Sequence, residues 1–249
     1  MTLHPLAEQF AGVAGAYERG RPEYAPAVIG ALAAELGLSA GGEVLDLGAG
    51  TGKLTRALLA AGLNVTAVEP HEVLRELLVA NLAAAHVLEG TAEAIPLGEG
   101  SVDAVTVADA FHWFDHTAAL AEIRRVLRPG GGLAVIAMVP DWRGASWAHE
   151  LGSLLQRTRP EHPHFDGPSW QEAVRAAGCW TAPREVRVTS ARAVVPERIV
   201  DHVASFSWVA AMDQDRRAEV LGEAAALVRD GETPAELPVH VVLGLTSLA

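Results

Sequence analysis

Between Glu43 and Val139 the chain alternates short apolar runs with segments of helical periodicity, and this alternation constrains the fold more than any other feature. The runs are Val44–Leu47, "NVTAVEP", "HVLEG", "SVDAVTVADAF" and "GLAVIAMV". Between them lie "KLTRALLAAG", which stops at Gly62, "HEVLRELLVANLAAA", and "TAALAEIRRVLRPGG", which stops at Pro129 and its glycines. Strand and helix in turn predict βαβ units and a parallel sheet. The strands read as continuous apolar runs, which is the pattern of a sheet covered on both faces. Ligands of such sheets bind beyond the carboxyl ends of the strands. The segments after Leu47, Val68, Leu88, Val107 and Val139 are therefore expected to converge on one cleft.

The flanks are read from the same periodicities. "EYAPAVIGALAAELGL" places Val28, Leu32 and Leu36 at helical spacing. Beyond Pro140 the pattern loosens into a stretch rich in Trp, His, Pro and Gly. A helix "SWQEAVRAAG", a β-like run near Glu185–Val195, a mainly helical stretch over 197–228 and a terminal strand "PVHVVLGLTSLA" follow. No linker-like stretch divides the chain. The expectation is a single domain over 1–249, with a helical segment at 1–40, a core at 41–140, and 141–249 completing the sheet and covering the cleft.

Composition removes several classes of function. The chain has 249 residues and a formal net charge of −12. An acidic balance disfavours nucleic acid and anionic membranes, which need a basic face. The single cysteine, Cys179, permits no internal disulfide and fits a reducing, cytoplasmic setting. No targeting segment is visible, and apolar stretches such as Leu133–Pro140 are too short to span a bilayer.

The most informative local feature is Asp46, Gly48, Gly50 and Gly52, placed after a strand and before a helix. Glycines allow sharp turns and close approach of a ligand to the backbone. The helix that opens near Lys53 turns free N–H groups toward the loop. A phosphate-binding Walker loop needs G-x-x-x-x-G-K-[ST], yet Leu47 stands at its first glycine and Leu54 at its hydroxyl. A dinucleotide fingerprint needs G-x-G-x-x-G, and here Lys53 replaces the third glycine.

"VLDLGAGTGKLT" resembles the glycine-rich motif of class I S-adenosylmethionine-dependent methyltransferases. "GTAEAIPL", "SVDAVTVADAFHWFD" and "RRVLRPGGGLAVI" resemble three further motifs of that family, in order and at the expected intervals. The resemblance covers about Tyr17 to Val139. "HWFD" and "YERGRPEY" look like a small-molecule subgroup similar to trans-aconitate and quinone-biosynthesis methyltransferases. It implies an α/β, Rossmann-like fold with a central, mostly parallel seven-stranded sheet and helices on both faces. It also implies S-adenosyl-L-methionine as cofactor. By resemblance, Asp46, Gly48, Ala49 and Gly50 border its methionine and ribose. Glu69 ends the next strand, where an ionised carboxylate offers two acceptors to a vicinal diol, and Pro70 follows it. Thr91, Ala92 and Glu93 are expected at the adenine, although the family often has Asp where Thr91 stands. Ala108 and Phe111 mark the exit of the fourth strand, and Tyr17 and Arg21 belong to a segment expected to fold over the cofactor.

Methyl transfer from a sulfonium is an in-line displacement with a neutral leaving group, so positioning supplies most of the catalysis. A base is needed only if the nucleophile carries a proton. His112, just past the fourth strand, is the candidate base. Arg19, His112, Trp113 and Trp208 are the candidate substrate contacts, Arg19 because a guanidinium fixes a carboxylate bidentately. "EHPHFD" is better read as an ordered turn than as a metal site, and a metal-free mechanism is expected. The expected partner is a small-molecule acceptor, a carboxylate or hydroxyl, with no nucleic acid or membrane, in a monomer or homodimer. A non-catalytic protein that binds S-adenosylmethionine and an NAD-dependent oxidoreductase are the rival readings.

Overall fold

A computed structural model describes residues 4–82, 84–143, 145–231 and 235–249. Seven strands, β1 (Glu43–Leu47), β2 (Asn64–Val68), β3 (His86–Leu88), β4 (Val102–Ala108), β5 (Leu127–Pro140), β6 (Arg184–Ala193) and β7 (Glu236–Ser247), form one sheet. Its order is β3-β2-β1-β4-β5-β7-β6. β1 pairs in parallel with β2 and β4, β2 with β3, and β4 with β5. The chain divides into two compact units. The larger comprises Glu23–Met138, Pro163–Val188 and Val241–Ala249, and the smaller comprises Met1–Pro22, Val139–His162 and Thr189–His240.

The pleat sorts side chains of the larger unit onto two faces. Leu45 and Leu47 of β1 join Val105 and Val107 of β4 in a cluster with Leu120 and Ile123 of the helix His116–Val126 and Val174 of the helix Trp170–Ala177. Each fully buried side chain of this size contributes about 1.5–3 kcal/mol. Val44 and Asp46 alternate to the other face. There the helix Lys53–Ala60 buries Leu54, Thr55 and Leu58. Gly132 of β5 lets Leu36 approach closely, since an added Cβ would stand 2.7 Å from Leu36 Cδ2. The smaller unit has its own core. Trp147, Leu151, Leu154 and Leu155 of the helix Ser146–Thr158 pack with Ile199 and Val203 of the helix Pro196–Ala204 and with Val220, Ala224 and Val228 of the helix Gln214–Asp230.

Three elements depart from the sequence reading. The helix expected over 71–85 runs only from Glu72 to Asn81, and Ala83 lies outside the described residues. The helix expected to run up to its stop at Pro129 ends at Val126. Leu127 already pairs with Val102, and Arg128, as the residue before Pro129, is disfavoured in helical geometry. The helix Ser146–Thr158 lies in the stretch that reads as loose.

Candidate functional site

In the larger unit the site begins where β1 ends. Gly48, Gly50 and Gly52 all adopt left-handed backbone, with φ of 71°, 59° and 88°. A side chain at these angles costs roughly 1–2 kcal/mol. The two later glycines differ in what surrounds them. A Cβ on Gly52 would stand 2.8 Å from Leu82 Cδ1 and 2.9 Å from Leu78 Cγ, whereas a Cβ on Gly50 would meet nothing within 4 Å. Gly52 is thus required by packing, and Gly50 faces open space. The amides of Gly48 and Ala49 donate to the Val68 carbonyl, at 2.8 and 3.2 Å, which seats the loop against the end of β2. Gly52 caps the helix Lys53–Ala60 without a side-chain hydrogen bond to its first turn.

Two buried carboxylates frame this loop. Glu69, directly after β2, is 4% exposed. Its Oε2 accepts the Gly50 amide at 2.8 Å and its Oε1 accepts the His71 amide at 2.9 Å. Burial raises its pKa above the usual glutamate range, against the lowering effect of those two amides and of the His71 and Arg75 charges. Arg75 braces the same turn, donating Nη1 to the carbonyls of Glu69 and Pro70, each at 3.0 Å. Asp46 is fully enclosed. Its Oδ2 accepts from Thr55 Oγ1 at 2.6 Å. Thr106 Oγ1 lies 3.4 Å from Oδ1 and only 3.3 Å from the Leu45 carbonyl, so its one hydrogen is contested. Desolvation pushes Asp46 up to about 6, opposed by the Thr55 and Thr106 bonds and reinforced by Glu69.

The turn after β3 and the exit of β4 complete the site in this unit. Thr91 and Ala94 form an isolated bridge, and Thr91 Oγ1 is buried without a hydrogen-bond partner among the described residues. Thr51 Oγ1, in the glycine loop, is in the same condition. Ala92 is buried in the core cluster, and Glu93 accepts the Asp115 amide at 2.9 Å. Ala108 ends β4 in register with Ile136. Phe111 is buried, stacked on His116 at 4.7 Å and 22°. His112 is half-buried, with Trp113 at 4.6 Å between ring centroids, and its Nδ1 lies 3.3 Å from Nδ1 of His164. Lys53, the only lysine, is buried and ion-paired with Glu23, which Arg56 also contacts.

In the smaller unit, Arg19 forms a two-pronged ion pair with Asp201, at 2.8 and 2.9 Å. The Arg21 guanidinium lies over the rings of Tyr17, at 5.2 Å, and Phe206, at 4.9 Å, and its Nε donates to Ser205 Oγ at 3.0 Å. Trp208 is part of the core, stacked on Phe206 at 4.5 Å. His162 lies 3.0 Å from Ser207 Oγ. Among the described residues, no group of three or more His, Cys, Asp or Glu side chains is arranged to hold a metal ion.

Two residues at the larger unit's site escaped the sequence reading. Arg75 is one turn into a helix and carries no motif signal. Asp109 is the one described non-glycine residue with positive φ, at 50°. It sits at the exit of β4, its amide donates to the Ile136 carbonyl at 2.9 Å, and its Oδ1 accepts the Met138 amide at 3.3 Å. Strain of this kind gathers at functional sites, and an Asp after an apolar strand was the only available hint.

Comparison with known proteins agrees with this geometry. The methyltransferase domain family matches residues 45–135. An uncharacterized methyltransferase of Mycobacterium tuberculosis is 39% identical over 219 residues, spanning 88% of this chain and 85% of its own length. A malonyl-[acyl-carrier protein] O-methyltransferase of Pectobacterium atrosepticum is 35% identical over 161 residues, 64% of this chain and 63% of its own. The crystal structure of a methyltransferase from an antibiotic biosynthesis pathway of Anabaena variabilis shares the fold, with a TM-score of 0.65, 22% identity, and coverage of 93% of this chain and 99% of that one. The chain belongs to the class I S-adenosylmethionine-dependent methyltransferases.

Proposed function

We propose that the chain transfers a methyl group to a small-molecule acceptor through a carboxylate or hydroxyl oxygen, and that Asp46, the 48–50 loop, Glu69–Pro70, the 91–93 turn, Ala108 and Phe111 build the cofactor site. S-adenosylmethionine supplies, when bound, an electrophilic methyl group on a positively charged sulfur. The observation that carries the assignment is Glu69. Its carboxylate is buried and held by the Gly50 and His71 amides, which leave further lone pairs for a diol. Gly50 faces open space beside it. The orphaned hydroxyl of Thr91 fits the same reading, because a buried polar atom without a partner costs about 1–3 kcal/mol until one arrives.

Asp46 ties β1 to the helix Lys53–Ala60 through Thr55, and so fixes the loop from below. Phe111 packs into the core from its base at the β4 exit. The His112–His164 contact allows one imidazole to orient the other, the arrangement a proton acceptor needs. A hydroxyl acceptor would use that base, whereas a carboxylate would not. Tyr17, Arg21, Arg19, Trp113 and Trp208 are proposed to serve cofactor or acceptor. The name of the Pectobacterium relative, an O-methyltransferase, supports oxygen as the receiving atom.

The test is release of S-adenosylhomocysteine by the full-length protein, given S-adenosylmethionine and a panel of small carboxylic acids, alcohols, phenols, amines and thiols. Turnover with an acid or a hydroxyl compound is expected. Turnover confined to amines or thiols, or absent across the panel, would overturn the acceptor assignment.

A further inference from the structure

The smaller unit brings two arginines together around a buried histidine. Gly20 makes this possible, because a Cβ there would stand 2.2 Å from the His202 amide nitrogen. The helix Ala14–Gly20 therefore lies directly on the backbone of the helix Pro196–Ala204, and the next residue, Arg21, reaches Ser205. From β6, Arg192 donates Nη1 to Nδ1 of His202 at 3.0 Å. His202 is 2% exposed, and its ring stacks on Phe206 at 5.2 Å.

The charges at this place do not balance. Among the described residues, neither Arg21 nor Arg192 has a carboxylate within ion-pair distance. Asp201, the acid next to His202 in sequence, is occupied through both oxygens by Arg19. His202 cannot help. Its Nδ1 is an acceptor, and burial, with the Arg21 and Arg192 charges, holds its pKa well below the usual histidine range. Burial and the repulsion of Arg198 and Arg21 press Arg192 down to about 10, which still leaves it charged at neutral pH. Partly buried like charges without a counterion are costly, and proteins pair such charges. Ser205 and the Tyr17 and Phe206 rings hold Arg21 in place at the same time. That preorganisation suits recognition of a planar anion rather than a mobile surface cation.

We infer that Arg21 and Arg192 form an oxyanion site that takes the carboxylate of a small organic acid. A carboxylate placed between them would accept hydrogen bonds from both guanidinium groups and remove their mutual repulsion. Anion binding here is read at equilibrium and without turnover, so it stands or falls separately from methyl transfer.

The experiment is isothermal titration of the full-length protein with succinate, glutarate, benzoate and inorganic phosphate at constant ionic strength, alongside thermal unfolding of wild type, Arg192→Met and Arg21→Met. At least one acid should bind wild type in the millimolar range or tighter and raise its Tm. Each variant should bind that acid at least tenfold more weakly. The acid should raise the Tm of wild type but not that of Arg192→Met, whatever the starting Tm of a variant that has lost its hydrogen bond to His202, and an arginine serving only structure would not produce that difference. Unaltered affinity in Arg192→Met, binding of phosphate but of no carboxylate, or no binding of any acid would each overturn the assignment.

Discussion

Glu69 accepts the amide hydrogen of Gly50 at 2.8 Å, so the end of one strand and the loop after its neighbour form one rigid piece. The other oxygen is held by His71, and Arg75 grips the carbonyls on either side of the Glu69–Pro70 bond. A carboxylate fixed in this way needs no reorganisation to receive a ligand. Arg75→Met should therefore weaken binding of S-adenosylhomocysteine by about tenfold without contacting it, at a stability cost of about 1–2 kcal/mol for the lost charged hydrogen bonds. Titration and chemical denaturation of the same preparation check both numbers.

The loop glycines should separate into two classes. Gly52→Ala meets Leu78 and Leu82 in addition to its unfavourable backbone angle, so its effect should fall on stability, at about 2–4 kcal/mol. Gly50→Ala carries only the angle, about 1–2 kcal/mol, but its methyl enters the open space beside Glu69. It should lose cofactor binding while remaining folded. Urea unfolding and titration of the two variants should rank them in opposite order.

Asp46 sets a pH dependence with a definite sign. Burial raises its folded pKa to about 6, above the value near 3.9 of an unfolded aspartate. Between those values the folded state retains a proton that the unfolded state has lost, so stability falls as pH rises from about 4 to 6, by about 3 kcal/mol from this group. The difference in unfolding free energy between wild type and Asp46→Asn should change by that amount, in favour of the variant, across the same window. A difference that stays flat with pH would contradict the burial of this carboxyl.

His112 gives a prediction that depends on the acceptor. With a hydroxyl substrate, His112→Ala should lower kcat by about 10²-fold, the lower end of general-base effects. His164→Ala should cost less, because it only orients its partner through the 3.3 Å contact. With a carboxylate substrate neither change should alter kcat substantially. Steady-state rates with matched substrates of the two kinds make the comparison.

The parallel part of the sheet was legible because its strands are short, mainly apolar runs set between segments of helical periodicity. The glycine loop after β1 was legible because left-handed backbone leaves few residue choices other than glycine. What escaped followed from tertiary contacts. The helix Ser146–Thr158 does place Trp147, Leu151, Leu154 and Leu155 at helical spacing, yet the surrounding Trp, His and Pro masked it. Val126 ends its helix because Leu127 finds a strand partner in Val102, far away in sequence. The site residues show the same division. Glu69 was singled out by its position after a strand, and the structure holds its carboxylate with the Gly50 and His71 amides. Arg19 was read as a possible substrate contact, while its partner, Asp201, lies 182 residues away and no local pattern announces it. Arg21, His202 and Arg192 met in the same unannounced way, Arg21 through the close helix contact at Gly20 and Arg192 through its bond from β6 to His202.

The most direct measurement is calorimetric titration of wild type, Glu69→Gln and Glu69→Ala with S-adenosylhomocysteine, with NAD as the control ligand. Wild type should bind S-adenosylhomocysteine and not NAD. Glu69→Ala should bind it about 100-fold more weakly, the loss of two charge-assisted hydrogen bonds, with Glu69→Gln in between. Equal affinity in wild type and Glu69→Ala, both folded, would contradict the placement of the cofactor at this carboxylate.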